Sequence, residues 1–219
     1  MLNNNDKNFL TGINLPYKTE DWDKLTEEVK NYWNTYLKKY KFNLVKLLNK
    51  RRKYYSATIS RFYIRYKEKK NILKYIKKIK EIWNQKDILI IEGEFSRLGI
   101  GNDLFNNCKS IKRIICPSFD AFKVYDKIIS FVVQLKEKRL ILIALGPTAT
   151  ILAYDLYKLG NQAIDIGHID IEYEWYLRNV TSKIQIKNKY VNEINNRQFV
   201  YTKIQDDNYY NQILAKILY

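Results

Sequence analysis

The sequence predicts an α/β protein with a Rossmann-like, mostly parallel sheet flanked by helices and preceded by a helical N-terminal region. Apolar runs typical of central parallel strands occur at residues 88–91 and 140–144. Segments with helical periodicity separate such runs, and glycines mark the short connections between them. Strands that alternate with helices in this way imply right-handed crossovers and a mostly parallel sheet.

The length of 219 residues suffices for one sizeable core, and we predict a single domain in three parts. Residues 1–85 form a helical, basic N-terminal part, residues 86–177 the Rossmann-like core, and residues 178–219 a tail of strand and helix. The sequence contains no apolar run of membrane-spanning length and no signal-peptide pattern at its start, which predicts a cytoplasmic protein. Cys108 and Cys116 fit no metal-binding spacing and no disulfide framework.

The formal net charge of +16 is concentrated in one stretch of the chain. Residues 38–80 contain 17 Lys or Arg and the single acid Glu68, whereas the rest of the chain carries equal numbers of bases and acids. This stretch could face an anionic partner such as nucleic acid, an anionic acceptor or a membrane surface. A biased genome, rich in codons for Lys, Asn, Ile and Tyr, explains the same composition.

The N-terminal part is expected to contain three helices. Apolar residues recur at helical spacing from Thr19 to about Lys39, and similar patterns cover residues 43–54 and 71–83. Residues 56–63 show no helical period and are predicted to form a connecting segment.

The core begins with a strand at residues 88–91, and a glycine-containing loop follows it. The chain is then expected to re-enter a helix near Asn102, which would form a loop and helix N-terminus of the kind that binds phosphate. The candidate cofactor-binding residues here are Glu92, Ser96, Arg97, Gly99, Asn102 and Asp103. The glycine spacing does not complete a dinucleotide fingerprint, and an ordinary strand-to-helix loop explains it equally well.

Further strands and helices continue the alternation through the core. We predict strands at residues 113–116, 140–144 and 162–166, a helix over 119–136, and a helix that begins at Thr148 and ends near Gly160. Gly146, Pro147 and Thr148 are further candidates for binding a phosphate. Since the carboxyl ends of parallel strands lie at one edge of a sheet, the loops 92–102, 146–148 and 167–174 should converge on one crevice.

Polar residues occupy every second position in the run that follows. His168, Asp170, Glu172 and Glu174 alternate with apolar residues, so an extended run would place one imidazole and three carboxylates on the same face. An Asp-x-Glu pair near a strand end can hold Mg²⁺ or Mn²⁺, and His168 could add a ligand. The predicted metal ligands are therefore Asp170, Glu172 and His168. A half-exposed edge strand accounts for the same alternation without a metal.

The tail after residue 178 shows a period-two segment at residues 184–186. A strand at residues 199–204 and a final helix over residues 209–218 are also predicted.

Four segments carry a resemblance to a known family: ILIIEGEFSRLGIGNDLF, IKRIICPSFDAF, LILIALGPTATILAYDL and QAIDIGHIDIEYEW. Together they resemble the glycosyltransferases that define the GT-D fold, first catalogued as a domain of unknown function in bacterial glycan and adhesin glycosylation loci. The similarity runs from about Tyr54 to the C-terminus.

The resemblance implies a metal-dependent hexosyltransferase that moves a sugar from a nucleotide donor, UDP-glucose or similar, to a glycan or glycoprotein acceptor. It implies Mn²⁺ or Mg²⁺ bound by Asp170 and Glu172. Asp170, Glu172 and Glu174 are then the candidate catalytic carboxylates, with Glu174 a candidate base for the acceptor hydroxyl.

Family members typically open with an Arg-Phe-Gly-Asp-Gly-Glu motif that has no match in this sequence. Two further hypotheses therefore stay open beside an active transferase. One is an inactive or partner subunit of a split enzyme, completed by a second chain or by a homo-oligomer. The other is a nucleic-acid-binding protein that uses residues 38–80, although no nucleic-acid motif supports it and no nucleic acid is expected as partner. For the transferase, the basic region suggests peripheral attachment at the inner membrane face.

Overall fold

The structure is a computed structural model that describes residues 1–2, 4, 6–14, 22–49, 51–194 and 201–219. In the N-terminal part, two short parallel strands pair with each other, β1 (Gly12–Ile13) and β2 (Tyr55–Ser56). The helices of this part are a 3₁₀ turn (Trp22–Lys24), α1 (Glu27–Leu47) and α2 (Ile72–Lys80).

The helices of the N-terminal part differ from the sequence prediction in where they begin and end. Residues 22–24 form a separate 3₁₀ turn, and α1 begins only at Glu27. Thr19, the expected start of the first helix, lies outside the described residues, and α1 continues without interruption to Leu47. The prediction of a separate helix over residues 43–54 is therefore wrong, because no glycine or proline ends α1 earlier. The third predicted helix is confirmed as α2, which buries an isoleucine face against the core.

The centre of the fold is a five-stranded sheet. Its strands are β3 (Asp87–Gly93), β4 (Ser110–Cys116), β5 (Leu140–Ala144), β6 (Ala163–Asp165) and β7 (Ile213–Lys216). The order across the sheet is β6-β5-β3-β4-β7, and each described pair of neighbours runs parallel. The apolar runs of β3 and β5 are buried on both faces, as a central parallel strand requires.

Helices cover the two faces of the sheet, which confirms the predicted α/β class. A 3₁₀ turn (Ala121–Val124), α3 (Tyr125–Gln134) and α4 (Pro147–Lys158) pack on one face. The other face packs against α2, residues 62–64 and α5 (Ile169–Leu177). The short helix α6 (Asp207–Gln212) leads into β7.

Several other predicted elements are wrong. Residues 168–174 are not extended but form most of α5, and no helix begins near Asn102, where the chain makes successive turns. The predicted final helix divides into α6 and the edge strand β7. Residues 184–186 and 201–204 adopt no regular structure, while 199–200 lie outside the described residues.

The connections leave the sheet on opposite faces at its centre. The chain between β3 and β4 packs Leu98, Leu104 and Phe105 on the α5 face, whereas α3 and α4 cover the opposite face. Because strand order reverses between β3 and β5, the carboxyl ends of these two strands border a crevice, the usual position of ligands in open α/β sheets.

Candidate active site

A cavity of about 400 Å³ opens at this crevice. Segments that follow four neighbouring strands line it: Ser96 after β3, Ser118 after β4, Gly146 after β5 and His168 after β6. The prediction that the strand-end loops converge is thereby confirmed. The volume lies within the range of small-molecule sites, and the lining includes both apolar and polar side chains.

The N-terminus of α4 forms one wall of the cavity. Gly146 precedes the helix with φ +54° and ψ −139°, a backbone conformation open to glycine alone, and Pro147 is the first helical residue. Gly146, Pro147 and the buried Thr148 all line the cavity, as the sequence analysis predicted for a phosphate site. The positive end of the helix dipole and the Thr148 hydroxyl favour an anion at this point.

The alternating acids do not share one face. Residues two apart on an α-helix lie about 200° apart around its axis, whereas residues four apart lie on the same side. Helix α5 therefore separates Glu172 from Asp170 and Glu174, and the prediction of one face with three carboxylates is wrong. All of the side chains from Ile169 to Trp175 are buried. The alternation of polar and apolar residues in this run therefore indicates neither a strand nor a face exposed to solvent.

Asp170 and Glu174 share a buried network with Lys189. The Lys189 ammonium lies 2.7 Å from Asp170 Oδ2 and 2.7 Å from Glu174 Oε1. Asp170 Oδ1 also accepts hydrogen bonds from the backbone N–H of Gly99 at 2.8 Å and from the side-chain amide of Asn102 at 2.9 Å. Asn102 donates to Glu174 as well, at 2.7 Å. The network joins α5, the β3–β4 connection and the tail.

Glu172 contacts the N-terminal part instead of the cavity. Its Oε2 accepts the backbone N–H groups of Tyr63 at 2.7 Å and Ile64 at 3.0 Å, and the side chain is buried. Burial raises the pKa of Glu172 in spite of these two hydrogen bonds. The carboxylate thus holds the segment after Ser60 against α5.

His168 lines the cavity with both ring nitrogens engaged. Its Nε2 lies 2.8 Å from Glu193 Oε2, and its Nδ1 lies 3.2 Å from an Arg61 nitrogen. Arg61 also pairs with Glu193 at 2.5 Å. Burial opposes ionisation of Glu193, but hydrogen bonds and charge from His168 and Arg61 outweigh burial and lower the pKa of Glu193 to about 2.

The predicted ligands do not fit a divalent cation as arranged. Both oxygens of Asp170 and both nitrogens of His168 have partners, and Glu172 accepts two backbone amides. Among the described residues, no three His, Cys, Asp or Glu side chains are grouped as metal ligands would be. The cation between Asp170 and Glu174 is the Lys189 ammonium.

Five of the predicted cofactor-binding residues lie outside the cavity lining and brace the β3–β4 connection. Glu92 forms a fully buried ion pair with Arg113 at 2.5 Å and accepts the Leu98 N–H at 2.7 Å. Arg97 donates to the Asn188 carbonyl, and Asp103 accepts the Tyr173 hydroxyl at 2.6 Å. The Tyr173 hydrogen bond lowers the pKa of Asp103. The other two are Gly99 and Asn102, described above. Ser96 is the member of this group that does line the cavity.

The lining residues that follow β4 were not among those predicted from the sequence. Ser118, Phe119, Asp120 and Phe122 all belong to the cavity wall, as do Tyr190 and Asn192 from the tail. Residues 118–122 could have been predicted from the sequence. They follow the predicted strand at residues 113–116, and ligands bind at the carboxyl ends of parallel strands. The tail residues follow no strand and could not have been predicted in this way.

A parallel sheet flanked by helices, with a helix N-terminus where the strand order reverses between β3 and β5, defines an α/β protein of the Rossmann-like class. Residues 1–194 match the family model described as glycosyltransferase GT-D fold. The chain belongs to this family, which confirms the resemblance seen in the sequence.

Relatives of known name and structure agree with this placement. The chain is 41% identical over 192 residues to the "Probable glycosyl transferase Gly" of Streptococcus gordonii, covering 87% of this chain and 28% of that protein. It is 43% identical over 165 residues to "Glycosyltransferase GlyD" of Streptococcus pneumoniae serotype 4, covering 75% of this chain and 20% of that protein. A solved structure of domain of unknown function 1792, described as a distinct glycosyltransferase fold, superposes with a TM-score of 0.85 at 39% identity, covering 91% of this chain and 71% of that one. The chain thus spans about a quarter of these curated relatives' length.

Proposed function

We propose that the chain transfers a hexosyl group from a UDP-type nucleotide sugar to a glycan or glycoprotein acceptor, with the donor bound in the 400 Å³ cavity. The observation that carries this proposal is the N-terminus of α4, where Gly146, Pro147 and Thr148 face the cavity at the switch point between β3 and β5. Membership of the glycosyltransferase family supports the reaction class.

The strand order suggests how a nucleotide sugar lies. Four adjacent strands border the cavity, and their spacing of about 4.8 Å gives a width of roughly 14 Å, comparable to an extended nucleotide sugar. The diphosphate belongs at the centre, beside α4. His168 and Asp170, which follow β6 in the chain, are polar groups of the lining that suit the hydroxyls of the transferred sugar.

Charge stabilisation at the diphosphate is the main chemical task of the site. When the bond from the anomeric carbon to the phosphate oxygen breaks, negative charge grows on the departing nucleotide diphosphate. The fixed dipole of α4 and the Thr148 hydroxyl are oriented toward that charge before the reaction begins, so they stabilise the transition state without reorganisation. Leu145 and Ile171 supply apolar walls that limit the access of water.

Glu172 and Glu174 have a different assignment from the one the sequence suggested. Neither lines the cavity, and each is committed to buried partners, so we assign both to positioning α5. Mn²⁺ or Mg²⁺ stays a prediction from the resemblance, and no step here depends on it.

The basic N-terminal part is proposed as a contact for an anionic membrane face. In the part of the chain that the structure describes, no helix is both long and apolar enough to span a bilayer. Helix α1 does expose Phe42 and Leu47 beside lysines, a combination that suits the interface of anionic lipids. Sedimentation with lipid vesicles tests this membrane contact. We expect the protein to sediment with anionic vesicles and not with neutral ones, and equal binding to both would contradict the proposal.

Release of UDP from UDP-glucose tests the proposed function. Thr148→Val keeps the shape of the side chain and removes the hydroxyl, so we expect about a tenfold fall in the rate. Thr181→Val, at an exposed position far along the chain, is the matched control and should leave the rate unchanged. A folded wild-type protein that neither binds UDP nor releases it would contradict the proposal.

A further inference from the structure

Two phenylalanines stand exposed at the mouth of the cavity on the β4 side. Phe119 is 60% exposed and Phe122 is 58% exposed, and both line the cavity. Both belong to or border the short 3₁₀ turn, whose Ala121 and Val124 side chains are buried in the core together with residues of α3. These two buried side chains fix the turn to the core. The turn therefore exposes both aromatic rings to solvent, and neither ring contributes the stabilisation that a buried phenylalanine gives.

Neighbouring rings contact both of these side chains, and one hydrogen bond holds the backbone at Phe119. The Phe119 ring meets the Tyr190 ring edge to face, with centroids 5.3 Å apart and planes at 78°. The Tyr219 hydroxyl donates to the Phe119 carbonyl at 3.4 Å. The Phe122 ring lies 5.0 Å from that of Tyr125. An ordered aromatic surface costs little further entropy when a flat ligand stacks on it.

The two ends of the cavity differ in chemistry. His168 and Asp170, which follow β6 in the chain, make that end of the cavity polar. Phe119 and Phe122, which follow β4, make the other end largely aromatic around the exposed carboxylate of Asp120. With a diphosphate at the centre, the polar end suits a sugar and the aromatic end suits a planar base. The donor would therefore lie with its sugar toward β6 and its nucleobase toward β4.

We propose that Phe119 and Phe122 form the subsite for the nucleobase of the donor, and that Asp120 accepts hydrogen bonds from the ribose hydroxyls beside it. The proposal rests on the proposed function, since it concerns the same donor. Asp120 is exposed, lines the cavity between the two rings, and pairs with the surface residue Lys123 at 3.3 Å. Its backbone is left-handed, with φ +50°, which fixes the direction of the turn.

Binding of two probes tests the subsite: UDP, which carries the base, and inorganic pyrophosphate, which lacks it. Phe119→Ala and Phe122→Ala should each raise the Kd for UDP about 5- to 150-fold, the range expected for one lost base–aromatic stack. The same variants should leave the Kd for pyrophosphate unchanged. Phe122→Tyr keeps an aromatic face and should retain UDP binding. Phe42→Ala removes an exposed ring on α1, 70% exposed and outside the cavity, and is the matched control.

Three results would contradict the proposed nucleobase subsite. Each shows whether the subsite alone or the proposed donor as well is wrong. Unchanged UDP binding in both alanine variants, with a raised KM for the acceptor, would assign the rings to the acceptor instead. Wild-type protein that binds pyrophosphate and UDP equally well would leave the diphosphate site in place and remove the nucleobase subsite. Wild-type protein that binds neither probe would contradict the proposed donor and its nucleobase subsite together.

Discussion

The Lys189 ammonium lies 2.7 Å from Asp170 Oδ2, and neither side chain is more than 5% exposed. This buried ion pair joins the tail of the chain to the first turn of α5, the helix that borders the cavity. Asp170 is a cavity residue, so the pair fixes the position of a carboxylate in the cavity wall.

Removal of the Lys189 charge should destabilise the fold. Lys189→Met leaves Asp170 and Glu174 buried without their shared cation, and breaking a buried pair on one side typically costs about 3–5 kcal/mol. Chemical denaturation measures the loss. Lys187→Met, at an exposed lysine two residues away, should change the free energy of unfolding by less than about 0.5 kcal/mol. Equal stability of the two variants would show that the buried pair contributes nothing.

A neutral replacement of Glu172 separates a structural role from a metal-binding role. Glu172→Gln keeps an oxygen that can accept the Tyr63 and Ile64 amides, so we expect a folded protein that still releases UDP. Burial raises the pKa of Glu172, which means that the surroundings disfavour the charged carboxylate. An uncharged glutamine should therefore be tolerated at this position. Glu172→Leu leaves both amides unsatisfied and should lose about 2–4 kcal/mol. Loss of activity in the glutamine variant, with full stability, would restore the metal-ligand hypothesis.

Gly99 and Gly101 offer a matched pair of substitutions in one loop. Both have a left-handed backbone, with φ +74° and +79°, so alanine at either position costs about 1–2 kcal/mol. A Cβ at Gly99 would also lie 2.6 Å from a Phe105 ring carbon, whereas nothing lies within 4 Å at Gly101. Gly99→Ala should therefore lower the midpoint of thermal unfolding further than Gly101→Ala. Equal midpoints would argue against the close packing of this loop.

Glu193 should make stability depend on acid pH. Its pKa falls from an ordinary value of 4.5 to about 2 in the folded protein, so the folded state holds the proton more weakly than the unfolded chain does. The stabilisation is fully present above pH 4.5 and is lost as the pH falls toward 2, on the order of 3 kcal/mol in all. The difference in unfolding free energy between wild type and Glu193→Gln should shrink over that interval. A difference that stays constant with pH would contradict the assignment.

The sheet was predictable because its strands are apolar runs bounded by turn residues. The strand Leu140–Ala144 has the predicted bounds, and the Gly146–Thr148 corner has its predicted place at the cavity. Such features depend on local composition and on the rule that places ligands at the carboxyl ends of strands.

The acidic run was misread because its pattern is ambiguous in a buried helix. Periodicity reports secondary structure only when one side of an element faces water, and both sides of α5 are buried. The partners of these acids are also distant in sequence: Lys189 for Asp170, and the amides of Tyr63 and Ile64 for Glu172. No local signal links an acid to a partner brought near it by the fold alone.

A crystal structure of the protein soaked with UDP would show whether the N-terminus of α4 binds the diphosphate of the donor. We expect the diphosphate within hydrogen-bond distance of Thr148, between the ends of β3 and β5. A UDP molecule bound elsewhere, with this corner of the cavity filled by solvent, would contradict it.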